Sequence, residues 1–107
     1  PDRTAPAVQL PAGATRSRYY FRMDVEDHPG VLAQIATIFA RHDMSISSVL
    51  QHEPPGGKEG DRVPLIITTH LALGQDVAKA RTQVDGLEVV KAPSVCVPIV
   101  EEYPEQL

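Results

Sequence analysis

The residues of this chain best suited to chemistry stand together in one run, Asp27-His28-Pro29-Gly30-Val31-Leu32. The run separates an alternating segment from a helical one, so a strand passes abruptly into a helix. Such a junction leaves backbone N–H groups unpaired at the helix N-terminus. Those groups and the helix dipole together seat an anion, for which a carboxylate is well suited. Asp27 carries the opposite charge and can take an ammonium or a hydroxyl. Gly30 has no Cβ and lets backbone approach a ligand closely. The hexapeptide thus offers an anion seat and a cation seat side by side. Asp27 also has a purely local role compatible with that one. It is a better helix N-cap than His28, a contribution of ~1 kcal/mol, and Pro29 suits the first helical turn.

The flanking elements must hold this run in place. From Arg18 to Val25 the sequence alternates, with Tyr19, Phe21, Met23 and Val25 on one face and Tyr20, Arg22 and Asp24 on the other, a half-buried strand. Val31, Leu32, Ile35, Ala36, Ile38 and Phe39 then recur at helical spacing and form a core stripe. The helix is expected to end near His42, with Asp43 taking the left-handed position usually filled by glycine. A second strand spans Ser45 to His52, and its weak amphipathicity leaves the register poorly specified. Glu53 to Asp61 is a breaker cluster rich in Pro and Gly, and reads as a hairpin loop. Val63 to His70 is the third strand, with Pro64 near its start. A second helix opens at Gly74, buries Val77, Ala80, Val84 and Leu87, and stops at Gly86. A last strand runs from about Ser94 to Val100, and Pro98 places it at an edge.

The order is strand, helix, strand, strand, helix, strand. This is the α+β ferredoxin-like βαββαβ plan, with a four-stranded antiparallel sheet and both helices on one face. Residues 1–17 read as a linker lead-in, 18–100 as one domain and 101–107 as an acidic tail. The chain begins at Pro1 with little periodicity, as expected of one module of a longer polypeptide.

Bulk properties remove several classes. The 107 residues carry a net charge of −4, with no Trp, which argues against a nucleic-acid surface. No apolar run approaches a membrane span, and nothing resembles a signal peptide. The lone Cys96 permits no internal disulfide and fits a reducing, cytoplasmic setting. His28, His42, His52 and His70 match no metal-ligand spacing, so no metal site is expected. No constellation for catalysis is visible, and no strand is followed by a dinucleotide fingerprint.

The segment Tyr19-Tyr20-Phe21-Arg22-Met23-Asp24-Val25-Glu26-Asp27-His28-Pro29-Gly30-Val31-Leu32-Ala33-Gln34-Ile35-Ala36 resembles the opening of ACT domains. Its continuation, Ile38 to Gln51 with Ser45-Ile46-Ser47-Ser48-Val49-Leu50-Gln51, is similar to the C-terminal regulatory domain of bacterial homoserine dehydrogenase, as is Pro93-Ser94-Val95. Two departures stand out: His28 replaces a common Arg or Lys, and Met44 a common Gly. The resemblance implies an allosteric domain that pairs with a second copy through edge strands and senses an amino acid, L-threonine, as feedback inhibitor. It implies a ligand site at Asp27, His28, Pro29, Gly30, Val31 and Leu32. Ser45, Ser47 and Gln51 would reach the ligand hydroxyl from the facing subunit. Any NAD(P) cofactor belongs to a catalytic domain upstream of this chain. A ligand-free dimerisation module, or a sensor attached to another amino-acid enzyme, are the alternatives.

Overall fold

Alternation in the first strand is the organising feature of the fold. In the computed structural model, which describes residues 12–52 and 55–100, β1 (Arg16–Glu26) pairs antiparallel with β3 (Arg62–Thr69) from Tyr20↔Thr68 to Glu26↔Arg62. β2 (Ile46–Gln51) joins the outer side of β3, and β5 (Val95–Ile99) pairs with β1. The two-residue β4 (Ala72–Leu73) pairs with Arg16 and Ser17. The order β2-β3-β1, completed by β5, is the expected ferredoxin-like sheet. Pro98 lies in β5, which pairs with β1 alone, so its missing N–H costs no ladder bond.

Helices α1 (Val31–Arg41) and α2 (Gly74–Asp85) supply the second layer. One face of the sheet contributes Phe21, Met23, Val25, Val63, Leu65 and Ile67, all buried. α1 adds Val31, Ile35, Ile38 and Phe39, and α2 adds Val77, Ala80 and Val84. Phe21 and Phe39 meet with ring centroids 5.0 Å apart at a tilt of 49°. Full burial stabilises by roughly 1.5–3 kcal/mol per side chain. Four buried side chains therefore hold α1 far more firmly than an N-cap worth ~1 kcal/mol could.

Several details differ from the expectation. β1 begins two residues earlier than the alternation suggests, because Arg16 and Ser17 pair with β4, which no pattern announces. A short 3-10 turn (Ala12–Ala14) precedes it. The expected lead-in before this turn and the tail over 101–107 lie outside the described residues. The weak register of β2 is realised as an irregularity between Ile46 and Ser48. Asp43 takes the left-handed turn at φ 61°, so the chain turns there without glycine. Met44 follows that turn and buries its side chain in the core. Among the described residues no helix is long and apolar enough to cross a membrane.

Candidate functional site

β1 ends at Glu26 and α1 begins at Val31, so four residues make the turn. The expected N-cap, Asp27 or His28, is corrected by the structure: the N-cap is Gly30, at φ +88°, and no side chain caps the helix. Pro29 accordingly precedes the cap instead of lying in the first turn. The cause is upstream. Asp27 remains tied to the hairpin, donating its N–H to Asp61 O at 2.8 Å and accepting from Gly60 N at 3.0 Å. Its side chain is therefore held away from the first-turn amides. A Cβ built on Gly30 would meet no protein atom within 4 Å. Glycine is required there by backbone conformation, since an L-residue in the left-handed region costs about 1–2 kcal/mol.

The uncapped start leaves donors open. Val31 N–H reaches His28 O only at 3.4 Å, and Gln34 N–H bonds to Gly30 O at 3.0 Å. The amides of Gly30, Leu32 and Ala33 have no acceptor among the described residues. A cavity of about 500 Å³ opens at this point. Of the residues expected at a ligand site, Asp27, His28, Pro29, Gly30, Val31, Leu32 and Gln51 line it together. Gln51 Nε2 donates to Asp27 Oδ1 at 3.4 Å, which places the side chain of β2's last residue beside the acidic group.

Ser45 and Ser47 do not join them within one chain. Ser45 O accepts from His70 N–H at 2.9 Å, and Ser47 Oγ accepts from Arg18 Nη2 at 3.1 Å. Six residues of extended chain, ~20 Å, separate Ser45 from Gln51. The cavity has a wall that sequence reasoning missed, made by Gly57, Lys58 and Glu59 of the β2–β3 loop. A charged pair set between Gly56-Gly57 and Gly60 was the available signal. Two of those glycines, Gly56 and Gly60, do adopt positive φ.

A charged cluster braces the turn from below. His28 Nε2 lies 2.8 Å from Glu26 Oε1, and His28 Nδ1 lies 3.7 Å from Glu59 Oε2. Lys91 pairs with the other oxygen of Glu26. Its ammonium, followed by the His28 contact, holds the Glu26 carboxyl below its ordinary value of 4.5. Lys91 is placed by its own backbone, which donates to Asp24 O at 2.8 Å. No group of three or more His, Cys, Asp and Glu side chains able to hold a metal ion occurs among the described residues. The cavity gathers Lys58, the carboxylates of Asp27 and Glu59, and amides with no acceptor among the described residues, a set suited to binding a small zwitterion.

A protein-family model, described as the ACT domain, matches residues 19–86. The chain is an ACT domain. Its sequence is 38% identical over 95 residues to the homoserine dehydrogenase of Pseudomonas aeruginosa, a match taking in 89% of this chain and 21% of that protein. Among solved structures, a homoserine dehydrogenase from Thiobacillus denitrificans superposes with a TM-score of 0.77 at 30% identity, covering 91% of this chain and 20% of that one. The ACT domain of a GTP pyrophosphokinase from Chlorobium tepidum gives a TM-score of 0.59 at 14% identity, over 78% of this chain and 100% of its own. At that identity the likeness is one of fold. This ACT domain thus spans about a fifth of the length of the homoserine dehydrogenases it matches.

Proposed function

We propose that this ACT domain is the allosteric sensor of a homoserine dehydrogenase and that its effector is L-threonine. The observation that carries the reading is the cavity at the β1–α1 turn, lined together by Asp27, Gly30 and Leu32, with the amides of Gly30 and Leu32 lacking an acceptor among the described residues. The amides suit the effector carboxylate, and Asp27 suits its ammonium. Gln51 is within reach of a side-chain hydroxyl. The similarity to homoserine dehydrogenases over most of the chain supports the choice of parent enzyme, whose catalytic part would carry NAD(P).

Pairing of two copies through β2 belongs to the same reading. Among the described residues β2 is bonded on one side only, to β3, and it exposes Val49 and Leu50. In an antiparallel pair about a two-fold axis at Ser48, Ser45 of one copy falls opposite the partner's Gln51. With the axis at Val49, Ser47 does so instead. Either register sets a serine of the second copy across from Gln51 along the strand, which is how Ser45 and Ser47 would come near the site; within one chain the Ser47 hydroxyl is bonded to Arg18. Threonine bound between two copies favours one arrangement of the pair over another, and the difference biases the attached catalytic domains by ~1–3 kcal/mol.

The test is thermal stability across the twenty amino acids. Ligand at 100 times its Kd stabilises the folded state by ~2.7 kcal/mol, a shift of many degrees in a domain of this size. A rise selective for L-threonine is the expected result. A flat response together with a stable dimer in sedimentation would refute sensing and leave a ligand-free pairing module.

A further inference from the structure

We propose that the β2–β3 loop belongs to the effector site and that Lys58 is its carboxylate-selecting residue. The proposal rests on the amino-acid-sensing reading above and adds to it the group that decides which ligands enter. Lys58 is the one Lys or Arg among the described residues lining the cavity, and its ammonium has no carboxylate within ion-pair distance among the described residues. The described cations around it are engaged elsewhere: Lys91 pairs with Glu26, and Arg62 lies 3.5 Å from Asp24.

The loop is braced within itself and held to the β1–α1 turn at Asp27 and His28. Asp61 Oδ2 accepts from Lys58 N–H at 2.9 Å, and Asp61 N–H donates to Lys58 O at 3.1 Å, so the backbone of Lys58 is fixed on both sides. Gly60 and Asp61 are bonded to Asp27, the residue that opens the helix turn. Gly60 also lies flat against His28, whose Cε1 would stand 3.6 Å from any Cβ there. The position of Lys58 is therefore coupled to the same turn that exposes the amides of Gly30 and Leu32.

Charge supplies the reason. Asp27 and Glu59 line the cavity, and Glu26 stands beside it through His28. The chain as a whole carries −4. An amino acid brought to Asp27 by its ammonium carries a carboxylate into this negative field. Two neutral amides offset that only in part. A lysine unpaired in the absence of ligand gains its charge partner when the ligand arrives. The site then selects ligands bearing both a free ammonium and a free carboxylate, and rejects amines, amides and esters of the same side chain.

The experiment compares L-threonine with L-threoninamide, by calorimetry and thermal shift, on the wild-type chain and on Lys58→Met and Lys58→Arg. Wild type is expected to bind L-threonine and to bind the amide about tenfold or more weakly. Lys58→Met loses that preference, so both probes bind with similar, weak affinity, while Lys58→Arg keeps it. Circular dichroism and the melting temperature without ligand stay near wild type for Lys58→Met. Full retention of the threonine-over-amide preference in Lys58→Met overturns the role of Lys58 and leaves the sensing reading intact. Failure of wild type to bind L-threonine overturns both.

Discussion

Gly30→Ala isolates the contribution of one backbone angle. The residue sits at φ +88°, and an added Cβ meets nothing within 4 Å, so no steric contact enters the balance. The left-handed conformation costs an L-residue about 1–2 kcal/mol. Alanine regains roughly 0.4–1 kcal/mol by restricting the unfolded chain. The net loss is about 0.5–1 kcal/mol, and at 4–8 °C per kcal/mol the melting temperature falls by roughly 2–8 °C. Gly30→Asn, whose side chain tolerates this conformation, falls by less than half as much. Calorimetric melting of the three proteins, each with and without L-threonine, separates the two uses of the glycine. Strain predicts that stability falls for Ala and largely returns for Asn. Close approach of a ligand predicts that both variants lose the threonine response, since both carry a Cβ. An unchanged or raised melting temperature for Gly30→Ala would refute the strain argument. A normal threonine response in both variants would remove Gly30 from the binding surface.

Two further outcomes follow from the titrating groups. Glu26 has its carboxyl held below 4.5, chiefly by Lys91, so it stabilises the fold above that pH and the stabilisation is lost as the pH falls through the lowered value. Lys91→Met should therefore be less stable than wild type at pH 7, with the difference in melting temperature narrowing as the pH falls below 4.5 and the carboxyl protonates; a difference that stays constant throughout an acid titration from pH 7 would contradict the pairing. Burial pushes the Cys96 thiol up from 9.0 to about 11, so iodoacetamide at pH 8 should modify the folded chain about a hundredfold more slowly than the urea-unfolded chain. Equal rates in the two states would show the thiol to be freely ionising.

The parts of the fold legible in the sequence were those governed by repeated spacing. Phe21, Met23 and Val25 declare β1 by alternation, and Ile35, Ile38 and Phe39 declare α1, and all six are buried where the pattern puts them. α2 ends at Asp85 with Gly86 as its C-cap, but Gly86 stays right-handed at φ −83°, so the left-handed turn that makes glycine a helix stop is not used there. The N-cap was misread because Asp27 has the right chemistry but the wrong tether: its backbone is committed to Gly60 and Asp61, more than thirty residues away. No local pattern reports such a bond. The same holds for Lys58 and Glu59, which stand in a loop whose composition says only that the chain turns. Their place beside the β1–α1 turn follows from β3 pairing with β1, a long-range fact. β4 is two residues long and too short to carry a period at all.

β2 has no fully buried residue along its whole length. Its persistence rests on one ladder to β3 and on partial coverage of Ile46, and a strand so lightly anchored opens more often than the core beneath it. Amide exchange in β2 should then be governed by local opening and not by global unfolding. Gln51 ends that strand, so each opening removes one wall of the cavity while α1 stays in place. A second copy docking on β2 would slow the opening, and ligand affinity would then rise with protein concentration even though no atom of the cavity had changed. Titrations at nanomolar and at millimolar protein would report two different constants for one site.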